Sequence, residues 1–228
     1  MKPLIELDEY LNIDVEPLYK EFVNTIDTIP KKYWHIFLSN ADKYNGGDGT
    51  GEIYEGSGYR FEPIAGDNDS PDVQTLYLRT TTPEVDLGTD YFTIDKSECW
   101  VDLPIIEKFP KIKKLVFSEL PYESVGRIML IFSKNGTEIV THYDHDCKHW
   151  RQEMIWIGLN DAKKLSVEDN DKTIYLKGNS CWFDSQRRHG TKSDGYSVSI
   201  RVDGKWKSDF RNKIFGEGSE WETITKWD

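Results

Sequence analysis

Between Gly126 and Gly204 the sequence breaks into short β-prone runs that follow one another closely: RIMLIF, TEIVTHYD, EMIWIGLN, KKLSVED, KTIYLKG, SCWFD and YSVSIRVDG. Turn residues separate them, and no helix-length periodic segment alternates with them. Such regular spacing predicts an antiparallel sandwich or a jelly-roll barrel. The Asn135-Gly136 pair between the first two runs predicts a hairpin, since both residues tolerate positive φ. That hairpin puts THYDHDCKHW, residues 141–150, at the end of its second strand.

The chain before these runs reads differently. In EPLYKEFVNTIDTIP (16–30), Leu18, Phe22, Ile26 and Ile29 recur at helical spacing before a proline stop. LPIIEKFPKIKKLVFSEL (103–120) also looks helical, with Pro110 starting, kinking or dividing it. YRFEPI and QTLYLRTT look like short strands, whereas NGGDGTGEIYEGSG and DNDSPD are loops or runs of turns. A length of 228 residues suits one domain.

Composition narrows the partners. Forty acidic against 29 basic residues leave a formal charge of −11, which repels phosphate backbones and anionic lipid, so neither nucleic acid nor a membrane is expected. Three cysteines at no ligand-like spacing predict neither a disulfide framework nor a CxxC zinc site. The amino terminus lacks a signal peptide's order of basic, apolar and small residues, and no segment approaches a membrane span. A soluble protein of the cytoplasm is the expectation.

THYDHDCKHW holds three of the five histidines. On a strand, alternation puts Val140, His142 and Asp144 on one face and Ile139, Thr141 and Tyr143 on the other. An imidazole and a carboxylate projecting together are two ligands for a hard or borderline cation such as Fe(II), Mn(II) or Zn(II). His145, Asp146 and His149 read as a solvated loop. A metal site needs a third ligand, and the remaining histidines are His35, among aromatics in KKYWHIFL, and His189, after CWFDSQRRHG. In YSVSIRVDG, Tyr196, Val198, Ile200 and Val202 alternate with Ser197, Ser199, Arg201 and Asp203. A solvated outer face explains that pattern in most sheets; inside a barrel, the same polar row offers a guanidinium fork to an anion.

The ordered set His142-x-Asp144, His189 and Arg201 resembles the H-x-D…H…R signature of Fe(II)- and 2-oxoglutarate-dependent oxygenases. Its frame, IIEKFPKIKKLVFSEL…GRIMLIFSKNGTEIVTHYD followed by LKGNSCWFDSQRRHG, is similar to the aspartyl/asparaginyl β-hydroxylase and proline hydroxylase branch, over about residues 103–204. Trp156 stands where that branch often carries a polar residue. The resemblance implies a mainly β fold with flanking helices around a double-stranded β-helix, the jelly-roll or cupin-like core. It divides the single domain into an elaboration and lid (1–102), the core with the metal site (103–204) and a tail (205–228).

The resemblance also implies His142, Asp144 and His189 as Fe(II) ligands, Arg201 on the distal carboxylate of the cosubstrate 2-oxoglutarate, and Ser199 as a hydrogen-bond donor beside it. With O2, such a site would hydroxylate an unactivated C–H bond of an amino acid, free or within a polypeptide, releasing succinate and CO2. Two other classes stay open: a zinc-dependent hydrolase and a non-catalytic cupin-like metal-binding module.

Overall fold

The computed structural model describes residues 2–29, 34–37, 52–53, 60–61, 73–81, 100–133, 138–142, 153–170 and 172–217. The amino-terminal part supplies β1 (Leu4–Glu6) and α1 (Glu16–Ile26). Helix α1 buries Leu18, Phe22 and Ile26 along one face, as the spacing predicts. It ends at Ile26, and Ile29 is buried in the turn beyond it. Short strands follow: β2 (Trp34–Phe37), β3 (Glu52–Ile53), β4 (Arg60–Phe61), β5 (Val73–Thr81) and β6 (Trp100–Asp102). The glycine-rich stretch expected as loop thus contains β3, which pairs only with β4 among the described residues.

Residues 103–120 divide at Pro110. A 3-10 turn (Pro104–Lys108) gives way to α2 (Pro110–Lys114) and then to a turn of π-helix (Leu115–Glu119). Proline suits a first helical position because its missing N–H would have no partner there. The next two amides of α2, on Lys111 and Ile112, donate to the Glu21 carboxylate of α1 at 2.8 and 3.0 Å, which ties the two helices together.

Eight strands then form the core: β7 (Tyr122–Ser133), β8 (Glu138–His142), β9 (Met154–Gly158), β10 (Lys163–Asp169), β11 (Lys172–Tyr175), β12 (Ser180–Phe183), β13 (His189–Ser193) and β14 (Ser197–Trp206). Apart from β10 and β11, which follow each other within one sheet, consecutive strands alternate between two antiparallel sheets. One runs β12-β9-β14-β7, extended by β1 at one edge and by β5, β2 and β6 at the other; the second runs β11-β10-β13-β8. This alternation is the double-stranded β-helix. The tail opens with α3 (Ser208–Phe215), whose Phe215 meets Trp182 edge-on and stacks on Trp206.

The predicted β7–β8 hairpin does not form. Strand β7 is paired on both sides, with β14 and β5, while β8 pairs with β13 in the other sheet. An Asn-Gly pair supplies a tight change of direction whether or not its flanking strands pair, so it does not fix the partner. Asn135 and Gly136 themselves lie outside the described residues.

The larger sheet is covered on both faces, and side-chain parity sorts them. From β7, Met129 and Ile131 line the barrel interior, whereas Phe132 turns to the other face, where its ring lies 5.2 Å from that of Phe22 in α1. On β14 every residue from Ser197 to Gly204 is buried. Its polar row faces inward, since Arg201 lines the interior; the outer-face reading of that alternation is set aside. Among the described residues no helix is long and apolar enough to cross a membrane.

Candidate metal and anion site

Strand β13 begins at His189, whose ladder partner across the β8 edge is His142. Directly opposed residues of an antiparallel pair carry their Cβ atoms about 4.5–5.5 Å apart on one face. Two steps further along β13, Thr191 pairs with Ile139, so two residues of β8, Val140 and Thr141, oppose Gly190 alone. This is a β-bulge, a device that re-aims side chains beside functional sites. It breaks the strict alternation expected through 139–142: Ile139 lines the same cavity as His189.

Gly190 makes the bulge possible. A Cβ there would lie 2.6 Å from the Ile139 carbonyl oxygen and 3.2 Å from the Thr141 amide nitrogen, so only glycine lets the strands approach this closely.

His189 is buried, and its ring packs 4.7 Å from that of Phe183. Its Nδ1 lies 2.9 Å from the Arg187 carbonyl oxygen, which can only accept. Nδ1 therefore carries the proton, and in the neutral ring Nε2 keeps the lone pair, the tautomer a metal-binding imidazole needs. Asp144 and the side chain of His142 lie outside the described residues, and among those described no three His, Cys, Asp or Glu side chains gather around a common point.

A cavity opens beside His189. Met129, Ile131, Ile139, Trp156, Leu165 and Phe183 form apolar walls; His189, Thr191, Lys163 and Arg201 bring the polar groups.

Arg201 is buried and donates from Nε to Asp203 Oδ1 at 3.1 Å. Arg127 holds the other oxygen of the same carboxylate at 2.6 Å. Burial alone would raise the Asp203 carboxyl, but the charges of Arg127 and Arg201 and their hydrogen bonds hold it below its ordinary range. Asp203 stays ionised and pins the Nε edge of Arg201.

Lys163 was not foreseen as a site residue. It opens β10 on the same face as Leu165 and Val167, both buried, so strand parity with those two was the available signal. Its Nζ donates to Ser199 Oγ at 3.1 Å, and burial pulls its pKa down to about 7. The Ser199 hydroxyl lies 3.4 Å from the Ile131 carbonyl oxygen, to which it donates, so it bridges Lys163 to β7.

In the turn between β12 and β13, Asp184 is buried, accepts from the Gln186 amide at 3.3 Å and lies 3.6 Å from Arg187 Nε; Arg187 also pairs with Asp169. Arg188 is exposed, 3.6 Å from Glu168 and 3.5 Å from the Thr141 carbonyl oxygen.

No protein-family model and no curated protein matches the chain. Among solved structures it is similar to an oxidoreductase of the 2OG-Fe(II) oxygenase family from Burkholderia pseudomallei, at 11% identity over 58% of this chain and 68% of that one, TM-score 0.39. It is also similar to a cupin superfamily protein from Desulfitobacterium hafniense, at 11% identity over 35% of this chain and 66% of that one, TM-score 0.26. A third is a point mutant of the salicylate 1,2-dioxygenase from Pseudoaminobacter salicylatoxidans in complex with gentisate, at 14% identity over 37% of this chain and 21% of that one, TM-score 0.27. With superpositions this distant, the fold assignment rests on the strand pairing itself.

Proposed function

We propose that the protein is an Fe(II)- and 2-oxoglutarate-dependent dioxygenase that hydroxylates an unactivated C–H bond of an amino acid or of an amino-acid side chain in a polypeptide. One observation carries the reading: a single cavity inside a double-stranded β-helix holds both a buried imidazole, whose ladder partner is a second histidine, and a buried guanidinium. The donor set fits iron. Two imidazoles, His142 and His189, with the Asp144 carboxylate make the two-histidine, one-carboxylate combination that leaves positions open for other ligands. Bound there with 2-oxoglutarate and O2, iron supplies the oxidation of the C–H bond, with release of succinate and CO2.

The chain's own residues do the rest. The Arg187 carbonyl holds the proton on His189 Nδ1 and so fixes the ring's ligand face. Arg201 receives the distal carboxylate of the oxoacid; with its Nε edge held by Asp203, its remaining N–H groups are oriented without a search among rotamers. The walls formed by Ile131, Ile139, Trp156 and Phe183 exclude water, which strengthens those charge-assisted hydrogen bonds.

Trp156 faces Arg201 as its ladder partner, so the position that is often polar in the resembling branch here contributes wall. His142→Ala and His189→Ala should each abolish iron-dependent succinate formation while leaving the circular dichroism of the fold unchanged. Full activity in either variant would remove that residue from the ligand set.

A further inference from the structure

We propose that Lys163 completes the anion site, and that a carboxylate entering the cavity is bound together with one proton, taken up by the Lys163 amine. The proposal rests on the oxoacid reading above and adds to it a second cation and a proton.

Placement is the first argument. Lys163 pairs across the ladder with Ser193, four residues along β10 from Val167, the ladder partner of His189. Four residues of strand span about 13 Å. The Lys163 backbone is therefore far from the imidazole along the barrel, and its side chain lines the same cavity as Arg201. A ligand held at His189 by one end would present its other end to these two cations.

The second argument is charge. The other cationic side chains at the core are paired: the buried Arg201 shares Asp203 with the half-buried Arg127, and the half-buried Arg211 pairs with Glu153. Lys163 differs: among the described residues its one polar partner is the Ser199 hydroxyl, and no carboxylate reaches it. A buried ammonium without a counter-charge is costly, and the neutral amine avoids that cost.

The groups around Lys163 reinforce this. Arg201 on β14 is a like charge and His189 on β13 is an imidazole; β7, β8, β9 and β12 contribute Ile131, Ile139, Trp156 and Phe183, none of them ionisable. Neighbouring Lys164, Lys192 and Asp194 are exposed, and Asp194 is taken by Lys164 at 2.9 Å. A carboxylate inside the cavity supplies the missing counter-charge and favours the protonated lysine. A carboxylate has lone pairs enough to accept from Lys163 and Arg201 together.

The test is calorimetric titration of the Mn(II)-loaded protein with 2-oxoglutarate in two buffers of different ionisation enthalpy, alongside the visible band of the Fe(II)-chelated oxoacid under anaerobic conditions. With an empty-site pKa of about 7, uptake should approach about 0.9 proton per site near pH 8 and fall to about 0.1 near pH 6. Lys163→Met should bind more weakly without uptake. Lys163→Arg, permanently charged, should bind near pH 8 without uptake.

Binding and a chelate band with no uptake, or uptake that persists in both variants, would overturn the proposal and leave the oxygenase reading standing. Uptake lost in both variants, with no chelate band, would keep the anion site and remove the oxygenase reading. Neither binding nor band would remove both.

Discussion

Replacing Lys163 by methionine should stabilise the protein, and by an amount that depends on pH in a defined way. The ordinary lysine value is 10.5 and burial lowers Lys163 to about 7 in the fold, a gap of 10.5 − 7 = 3.5. At about 1.36 kcal/mol for each pKa unit the gap corresponds to about 5 kcal/mol. Because the folded value lies below the unfolded one, the unfolded chain binds one more proton than the fold between about pH 7 and 10.5. Stability therefore rises with pH through that window. The cost of burying the lysine is present in full below about pH 7 and vanishes above about 10.5.

Urea unfolding of the wild type and Lys163→Met from pH 6 to 9 isolates this contribution, since every other group titrates in both proteins. The wild type should gain about 2 kcal/mol on the variant between pH 7 and 9. At pH 7 the variant should be the more stable protein. Stability curves that run parallel across the window would instead mean that Lys163 keeps its proton in the fold.

Other perturbations reach other parts of the site. Gly190→Ala forces a Cβ to within 2.6 Å of the Ile139 carbonyl oxygen; it should cost ~1–3 kcal/mol and, by parting β8 from β13, weaken Fe(II) binding, so unchanged iron affinity would detach the bulge from the metal site. Asp203→Asn leaves Arg127 and Arg201 sharing a neutral amide and should lower stability by ~3–5 kcal/mol in denaturant unfolding; a change within ~0.5 kcal/mol would show that the two arginines do not depend on it. Arg201→Ala removes a charge-assisted pair of ~1.5–3 kcal/mol, which raises the 2-oxoglutarate concentration needed for half-saturation about ten- to a hundredfold; an unchanged requirement would move the distal carboxylate elsewhere.

What the sequence disclosed depended on whether periodicity carried the information. KKLSVED and SCWFD became β10 and β12 almost residue for residue, because a strand flanked by turn residues announces itself locally. HGTKS became β13 without any apolar alternation to mark it; its place comes from ladders with β10 and β8, contacts remote in sequence. The same remoteness hides β14 and β5 as the partners of β7, where Asn135-Gly136 locally points to β8. The polar row of β14 was visible as alternation, but only closure of the barrel decides that it faces inward.

The site divides along the same line. His142 and His189 are far apart in the chain and become ladder partners. The bulge that shifts Ile139 to the cavity side depends on a two-against-one pairing that no single strand encodes. Lys163 was legible in principle, since it shares parity with Leu165 and Val167, but a lysine at the mouth of a strand is ordinarily solvated. Its burial follows from the enclosing sheets.

On the proposed oxygenase function, one cavity joins a metal to an oxoacid. The most direct measurement is an anaerobic titration of the metal-free protein, first with Fe(II) and then with 2-oxoglutarate, following the weak visible charge-transfer absorption of a chelated oxoacid. A band that saturates at one equivalent of each, and is lost in His189→Ala, is the predicted result. Iron binding with no band at any oxoacid concentration, or tighter zinc binding that 2-oxoglutarate does not alter, would contradict it.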